Sequence, residues 1–168
     1  MTPAPDPSSP PPLFHGAAIA IGGLRVARDG GILRTFLGSC VGVALHDPRR
    51  RIAGLAHVML PESLGHEGPP GKFADTAVAE LLRLLDARSA AGRAGLVAKL
   101  AGGAQMFPFA GDAPVGARNV RALERILEDL GVPVVGRDCG GNHGRRMSLD
   151  VVSGIVTIEV VGAEPLTI

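Results

Sequence analysis

Tryptophan and tyrosine are absent from this chain of 168 residues, and only five phenylalanines stand in their place. Single-stranded nucleic acids are held largely by bases stacking on aromatic rings, so the lack of such a platform disfavours nucleic acid as a ligand. A surplus of charge is missing too. The formal net charge of +1 provides no general attraction for nucleic acid or for an acidic membrane surface. Two cysteines in a chain this long make no disulfide framework. No uncharged apolar run reaches the roughly 18 residues of a membrane-crossing helix, so no direct membrane insertion is expected. Residues 1–12 carry neither a basic nor an apolar stretch and do not read as a secretion signal. There is no C-x-x-C and no close histidine pair, which argues against zinc. Residues 140–144 are glycine-rich but lack the Gly-Lys-Ser/Thr ending of a phosphate cradle. No repeat of fixed period is visible. What remains is a soluble, cytoplasmic protein with reduced thiols, expected to need no metal or cofactor.

The apolar pattern divides the chain into a proline-rich tail over residues 1–12, unable to bury apolar surface, and one domain over 13–168. Short apolar runs broken by glycine predict strands at 17–21, 24–27 and 32–37, followed by a hairpin over 40–60. Ala74, Ala77, Val78, Leu81, Leu82 and Leu85 recur at helical spacing and predict a helix over 72–88; Val120, Leu123, Ile126, Leu127 and Leu130 predict a second over 119–130, stopped by Gly131. Further strands are expected at 96–100, 132–135, 147–152 and 155–161. Many strands and two main helices make an α+β fold the natural architecture, a layered α/β sandwich with largely antiparallel sheets.

One thiol and one imidazole carry the chemistry. Leu37-Gly38-Ser39-Cys40 runs into an apolar strand, the chain turns at Asp47-Pro48-Arg49-Arg50, and it returns through His57. If Pro48 and Arg49 centre a type I turn, Cys40 stands directly opposite His57, where Cβ atoms are about 4.5–5.5 Å apart; a four-residue loop over residues 47–50 keeps that pairing, and a three-residue loop separates the two. A paired imidazolium would then lower the thiol pKa and make Cys40 a nucleophile. Gly38 and Ser39 bring free backbone amides beside it, an oxyanion hole in prospect. The plainer alternatives are a small buried hydrophobe at Cys40 and a satisfied core histidine at His57. His143, in the glycine loop, is the reserve histidine; Cys139 has no histidine at a pairing register and reads as non-catalytic. Loop 140–144 is expected at the rim of the site.

Six short segments in fixed order resemble the chemoreceptor glutamine deamidases of bacterial chemotaxis (CheD). They are Leu37-Gly38-Ser39-Cys40, His57-Val58-Met59-Leu60-Pro61, Lys72-Phe73-Ala74-Asp75-Thr76-Ala77, Lys99-Leu100-Ala101-Gly102-Gly103-Ala104, Gly116-Ala117-Arg118-Asn119 and Asp138-Cys139-Gly140-Gly141-Asn142-His143-Gly144-Arg145. The resemblance implies hydrolysis of receptor glutamine side chains to glutamate with release of ammonia, and hydrolysis of glutamate methyl esters. Its catalytic Cys and His fall on Cys40 and His57, and its threonine on Thr35. It implies chemoreceptor cytoplasmic helices as protein substrate and a CheC-type phosphatase as regulatory partner. A cysteine peptidase or other amidase, and a non-enzymatic receptor- or phosphatase-binding module, are the alternatives.

Overall fold

The computed structural model describes residues 17–85 and 90–168. The proline-rich tail, His15 and the final turn expected of the first helix lie outside the described residues. Nine strands are described: β1 (Leu24–Arg28), β2 (Ile32–Leu37), β3 (Val41–Asp47), β4 (Ile52–Val58), β5 (Val97–Gly102), β6 (Val134–Cys139), β7 (Arg145–Asp150), β8 (Val156–Glu159) and β9 (Leu166–Thr167). Helix α1 (Ala74–Leu84) and the single turn α2 (Ala90–Arg93) precede β5, and α3 (Val115–Asp129) joins β5 to β6. A five-stranded sheet runs β1-β4-β3-β5-β6, antiparallel except for the parallel β5–β6 pair, and a four-stranded antiparallel sheet runs β2-β7-β8-β9.

The layering follows from which faces are apolar. Every position of β3 and β4 is buried, because the five-stranded sheet is covered on both sides. On one side Val41, Val43, Ala56 and Val58 pack with Ala77, Val78 and Leu81 of α1 and Leu123 and Leu127 of α3. On the other, Ala44, Ala53, Leu55 and Ala101 meet Leu33, Leu37, Met147, Leu149 and Ile158 of the four-stranded sheet. That second sheet covers the core with one face only, so β2 alternates: Leu33, Thr35 and Leu37 point in, Arg34 and Phe36 out. The expected layered sandwich is what forms.

The hairpin register differs from the expected one. Gly42, not Cys40, faces His57, and Asp47 faces Ile52. The connection is longer than the two-residue turn assumed. Both the Arg49 and Arg50 amides donate to Asp47 Oδ1, and Arg51 takes a left-handed conformation with φ 53°. The shift is two residues, so each side chain keeps its face, since strand side chains alternate with period two.

Other boundaries move for local reasons. Residues 17–21 contribute only a bridge from Ile19 to Thr35 rather than a strand. Helix α3 begins at Val115, four residues before its expected start at 119, and the first helix is trimmed to start at Ala74. β6 continues through Asp138 and Cys139, which the sequence assigns to a loop, because both pair with β5. The last hairpin is shorter than expected, with β8 confined to Val156–Glu159.

Gly102 is one position where the fold leaves no room for a larger residue. Its φ is +103°, and a Cβ there would run into the carbonyl oxygen of Cys40. Gly102→Ala is expected to cost about 3 kcal/mol of stability through strain and overpacking, read as a lower urea midpoint at unchanged slope.

Candidate active site

Thr35 and His57 meet between the two sheets. Thr35 is fully buried on β2, and His57, 3% exposed, reaches it from β4. Thr35 Oγ1 lies 2.7 Å from the carbonyl oxygen of Ile19 and 2.7 Å from His57 Nδ1. A hydroxyl has one proton, and a carbonyl oxygen can only accept, so the threonine donates to Ile19. The second contact therefore needs its proton from the imidazole: Nδ1–H donates to Oγ1. That assigns the tautomer and leaves Nε2 with an open lone pair. Nε2 is buried and has no hydrogen-bond partner. Two backbone bonds hold the strand at this point, His57 N–H to the Gly23 carbonyl and Gly22 N–H to the His57 carbonyl. Burial pushes the imidazole below its ordinary pKa, partly offset by the Ile19 backbone, so the ring rests neutral at neutral pH.

Replacing Thr35 by Val leaves Nδ1–H without an acceptor and the Ile19 carbonyl without a donor. We expect about 1–3 kcal/mol of lost stability, and nitrogen NMR of the imidazole should change from a single Nδ1–H tautomer to a mixture. An unchanged tautomer in Thr35→Val would contradict this assignment.

Cys40 sits in the turn between β2 and β3, half-buried and packed against the same inter-sheet cluster that Thr35 and His57 border. Cys40 immediately precedes β3, outside its ladder, and packs on the inter-sheet side that His57 also faces; the residue directly opposite His57 is Gly42, and among the described residues no hydrogen bond joins the sulfur to Nε2. The carbonyls of Gly38 and Cys40 accept from Ala104 and Gly103. Among the described residues, the amides of Gly38, Ser39 and Cys40 donate to no carbonyl.

The expected depression of the Cys40 pKa is reversed. Burial pushes this thiol up from its ordinary value. Desolvation of the charged form governs it, and a neutral histidine supplies no compensating cation. At rest the Cys40 side chain is a thiol and the His57 ring is neutral. Cys139 packs on the opposite, helix-covered side of the five-stranded sheet; burial pushes its thiol up to about 11, and both cysteines are free.

A groove of about 880 Å³ ends at this turn, lined by Phe36, Leu37, Gly38, Met106, the segment Asn142–Arg146, Glu159, Val160 and Val161. The glycine loop forms one wall; Gly38 reaches the groove, whereas Cys40, His57 and Thr35 are not among its lining residues. The loop's shape depends on Arg145, a residue that no pattern in the sequence singled out by itself. The buried guanidinium donates to the Asp138 carbonyl at 2.6 Å and carboxylate at 2.8 Å, and to the Gly140 and His143 carbonyls. Asn119 is likewise fully buried and donates from Nδ2 to the Met59 carbonyl, securing the chain just beyond His57. Both residues stand inside the quoted segments, but only tertiary contact gives them a partner. Among the described residues no group of three or more His, Cys, Asp or Glu side chains could hold a metal. No described helix is long and apolar enough to cross a membrane.

Comparison with known proteins gives consistent results. A family model described as CheD chemotactic sensory transduction matches residues 59–160. The chain is 42% identical over 82% of its length to a probable chemoreceptor glutamine deamidase CheD of Clostridium botulinum, covering 87% of that protein. It is 44% identical to the probable chemoreceptor glutamine deamidase CheD of Symbiobacterium thermophilum, covering 86% of this chain and 92% of that one. Against the chemoreceptor glutamine deamidase CheD of Thermotoga maritima the identity is 41%, over 86% of this chain and 91% of the other.

Proposed function

The chain belongs to the CheD family, and from that premise we propose that it deamidates glutamine side chains of chemoreceptors with Cys40 as nucleophile and His57 as base. The observation carrying this reading is the Thr35–His57 hydrogen bond, which leaves the Nε2 lone pair open on the face of the sheet that Cys40 shares. The substrate activity is the one printed in the relatives' names.

In the first step His57 Nε2 takes the thiol proton as Cys40 Sγ bonds to the glutamine carboxamide carbon. The carbonyl oxygen becomes an oxyanion, received by the amides of Gly38, Ser39 and Cys40. The imidazolium then protonates the nitrogen, the C–N bond breaks, and ammonia leaves a thioester on Cys40. Water attacks that thioester while giving a proton to Nε2, and the returning proton restores the thiol as glutamate departs. Thr35 keeps the ring in the required tautomer throughout and stabilises Nδ1–H when both nitrogens carry protons. A glutamate methyl ester enters the same cycle, with methanol leaving in place of ammonia. No cofactor takes part. The site then works where receptor modification helices lie, in the cytoplasm, and a CheC-type phosphatase is the regulatory partner that accompanies this reading.

Incubating receptor cytoplasmic fragments with the protein and sequencing them by mass tests it. Conversion of glutamine to glutamate, a gain of about one mass unit at intact backbone, is expected. Backbone cleavage would identify a peptidase instead, and binding without any mass change a non-enzymatic module.

A further inference from the structure

The deamidase reading leaves two groove residues without a task. Asn142 and His143 are both exposed on the loop wall of the groove, and His143 Nδ1 lies 3.0 Å from Asn142 Oδ1. An amide oxygen accepts only, so this contact places the proton on Nδ1. Two unused functions follow. Asn142 Nδ2 keeps both its hydrogens, with no acceptor among the described residues, and His143 Nε2 presents a lone pair. The loop beneath them is held by several contacts. Arg145 clamps its carbonyls at Gly140 and His143, Gln105 N–H donates to the Gly141 carbonyl, and Gly144 rests against Leu37, one residue before Gly38.

We propose that Asn142 and His143 act together as the reader of the primary carboxamide and so distinguish glutamine from its product. The proposal rests on the deamidase reading and names a specificity device within it. A carboxamide offers a carbonyl acceptor and N–H donors. Asn142 Nδ2–H satisfies the first, and His143 Nε2 receives the second. A carboxylate has acceptors only: it can take the hydrogen bond from Asn142, but its second oxygen then faces the lone pair of Nε2. Glutamine is held by two hydrogen bonds and glutamate by one hydrogen bond and one repulsion, which favours binding of substrate and departure of product. Both groups face solvent in the free protein, so the discrimination arises where the bound side chain displaces their water and a mismatched partner leaves one of them unpaired.

Two measurements on the full chain test this. The first is equilibrium binding to Cys40→Ala, which removes turnover, of receptor fragments carrying glutamine or glutamate at the modified positions. The second is steady-state deamidation by proteins with intact Cys40. We expect the Cys40→Ala protein to prefer the glutamine form by roughly 10-fold or more. Adding His143→Ala should collapse that preference to within about twofold, and His143→Gln, whose side-chain oxygen also accepts, should restore part of it. With Cys40 present, Asn142→Ala and His143→Ala should each raise KM about 5- to 10-fold with a smaller change in kcat. The rate at which iodoacetamide alkylates Cys40 should stay within twofold, which a collapsed site would not allow. Deamidation with unchanged KM and undiminished preference in both variants overturns the carboxamide reader alone. Absence of deamidation in the unmodified protein overturns the deamidase reading and, with it, this proposal.

Discussion

Cys40→Ala is expected to lower ammonia release from receptor fragments by at least about 10⁴-fold, to the limit of detection. The reason is chemical rather than structural. Without the sulfur there is no thioester, and the two-step route reverts to direct attack of water on an unactivated amide; removing the nucleophile of a covalent hydrolase commonly costs on this scale or more. The side chain is small and half-buried, so folding should survive, and the variant should still bind its fragments. Cys139→Ser supplies the control. That thiol is on the helix-covered side of the five-stranded sheet with its pKa pushed up to about 11, and its replacement should leave turnover within about twofold. Equal losses in the two variants would remove Cys40 from the mechanism.

His57→Ala should reduce kcat/KM by on the order of 10³-fold, within the range usual for a positioned general base. The pH dependence gives the finer test. Protonation at Nε2 abolishes base function, and burial holds the His57 pKa below the ordinary 6.5. The acid limb of the activity profile should therefore have its midpoint below 6.5. A midpoint at or above 6.5 would contradict a desolvated base. The same shift has a stability consequence of defined sign. The unfolded chain binds the proton more tightly than the folded one, so this contribution to stability is complete above 6.5 and is lost as pH falls through that value towards the lower folded one. His57→Gln should flatten that part of the acid-unfolding curve.

Much of this was written in local pattern. β2 begins and ends where its glycine-bounded apolar run predicts, at Ile32 and Leu37. The stripes of Ala77, Val78 and Leu81 and of Leu123 and Leu127 face the core as their spacing requires. The two residues at the centre of the proposed chemistry, Cys40 and His57, were identifiable from composition and turn chemistry, because a lone thiol after Gly-Ser and a histidine on an apolar return strand are rare local events. Their opposition was not. A hairpin's register depends on how many residues the loop uses, and the Asp47 side chain, by capping the Arg49 and Arg50 amides, stretches the loop to Arg51.

The amino-acid order by itself determined which strands alternate, which helix faces are apolar, and which side chains have the right chemistry. Tertiary structure alone decided what those side chains touch. Thr35 is a plain inward strand residue until the bridge at Ile19 and the five-stranded sheet packed against it bring a carbonyl and an imidazole to its hydroxyl from 16 and 22 positions away. Arg145 is one arginine among many until the end of β6 folds back around it. Periodicity records the face on which a residue lies, because that depends on near neighbours. Partnership across sheets depends on loop lengths and layer order, which only the folded chain as a whole specifies.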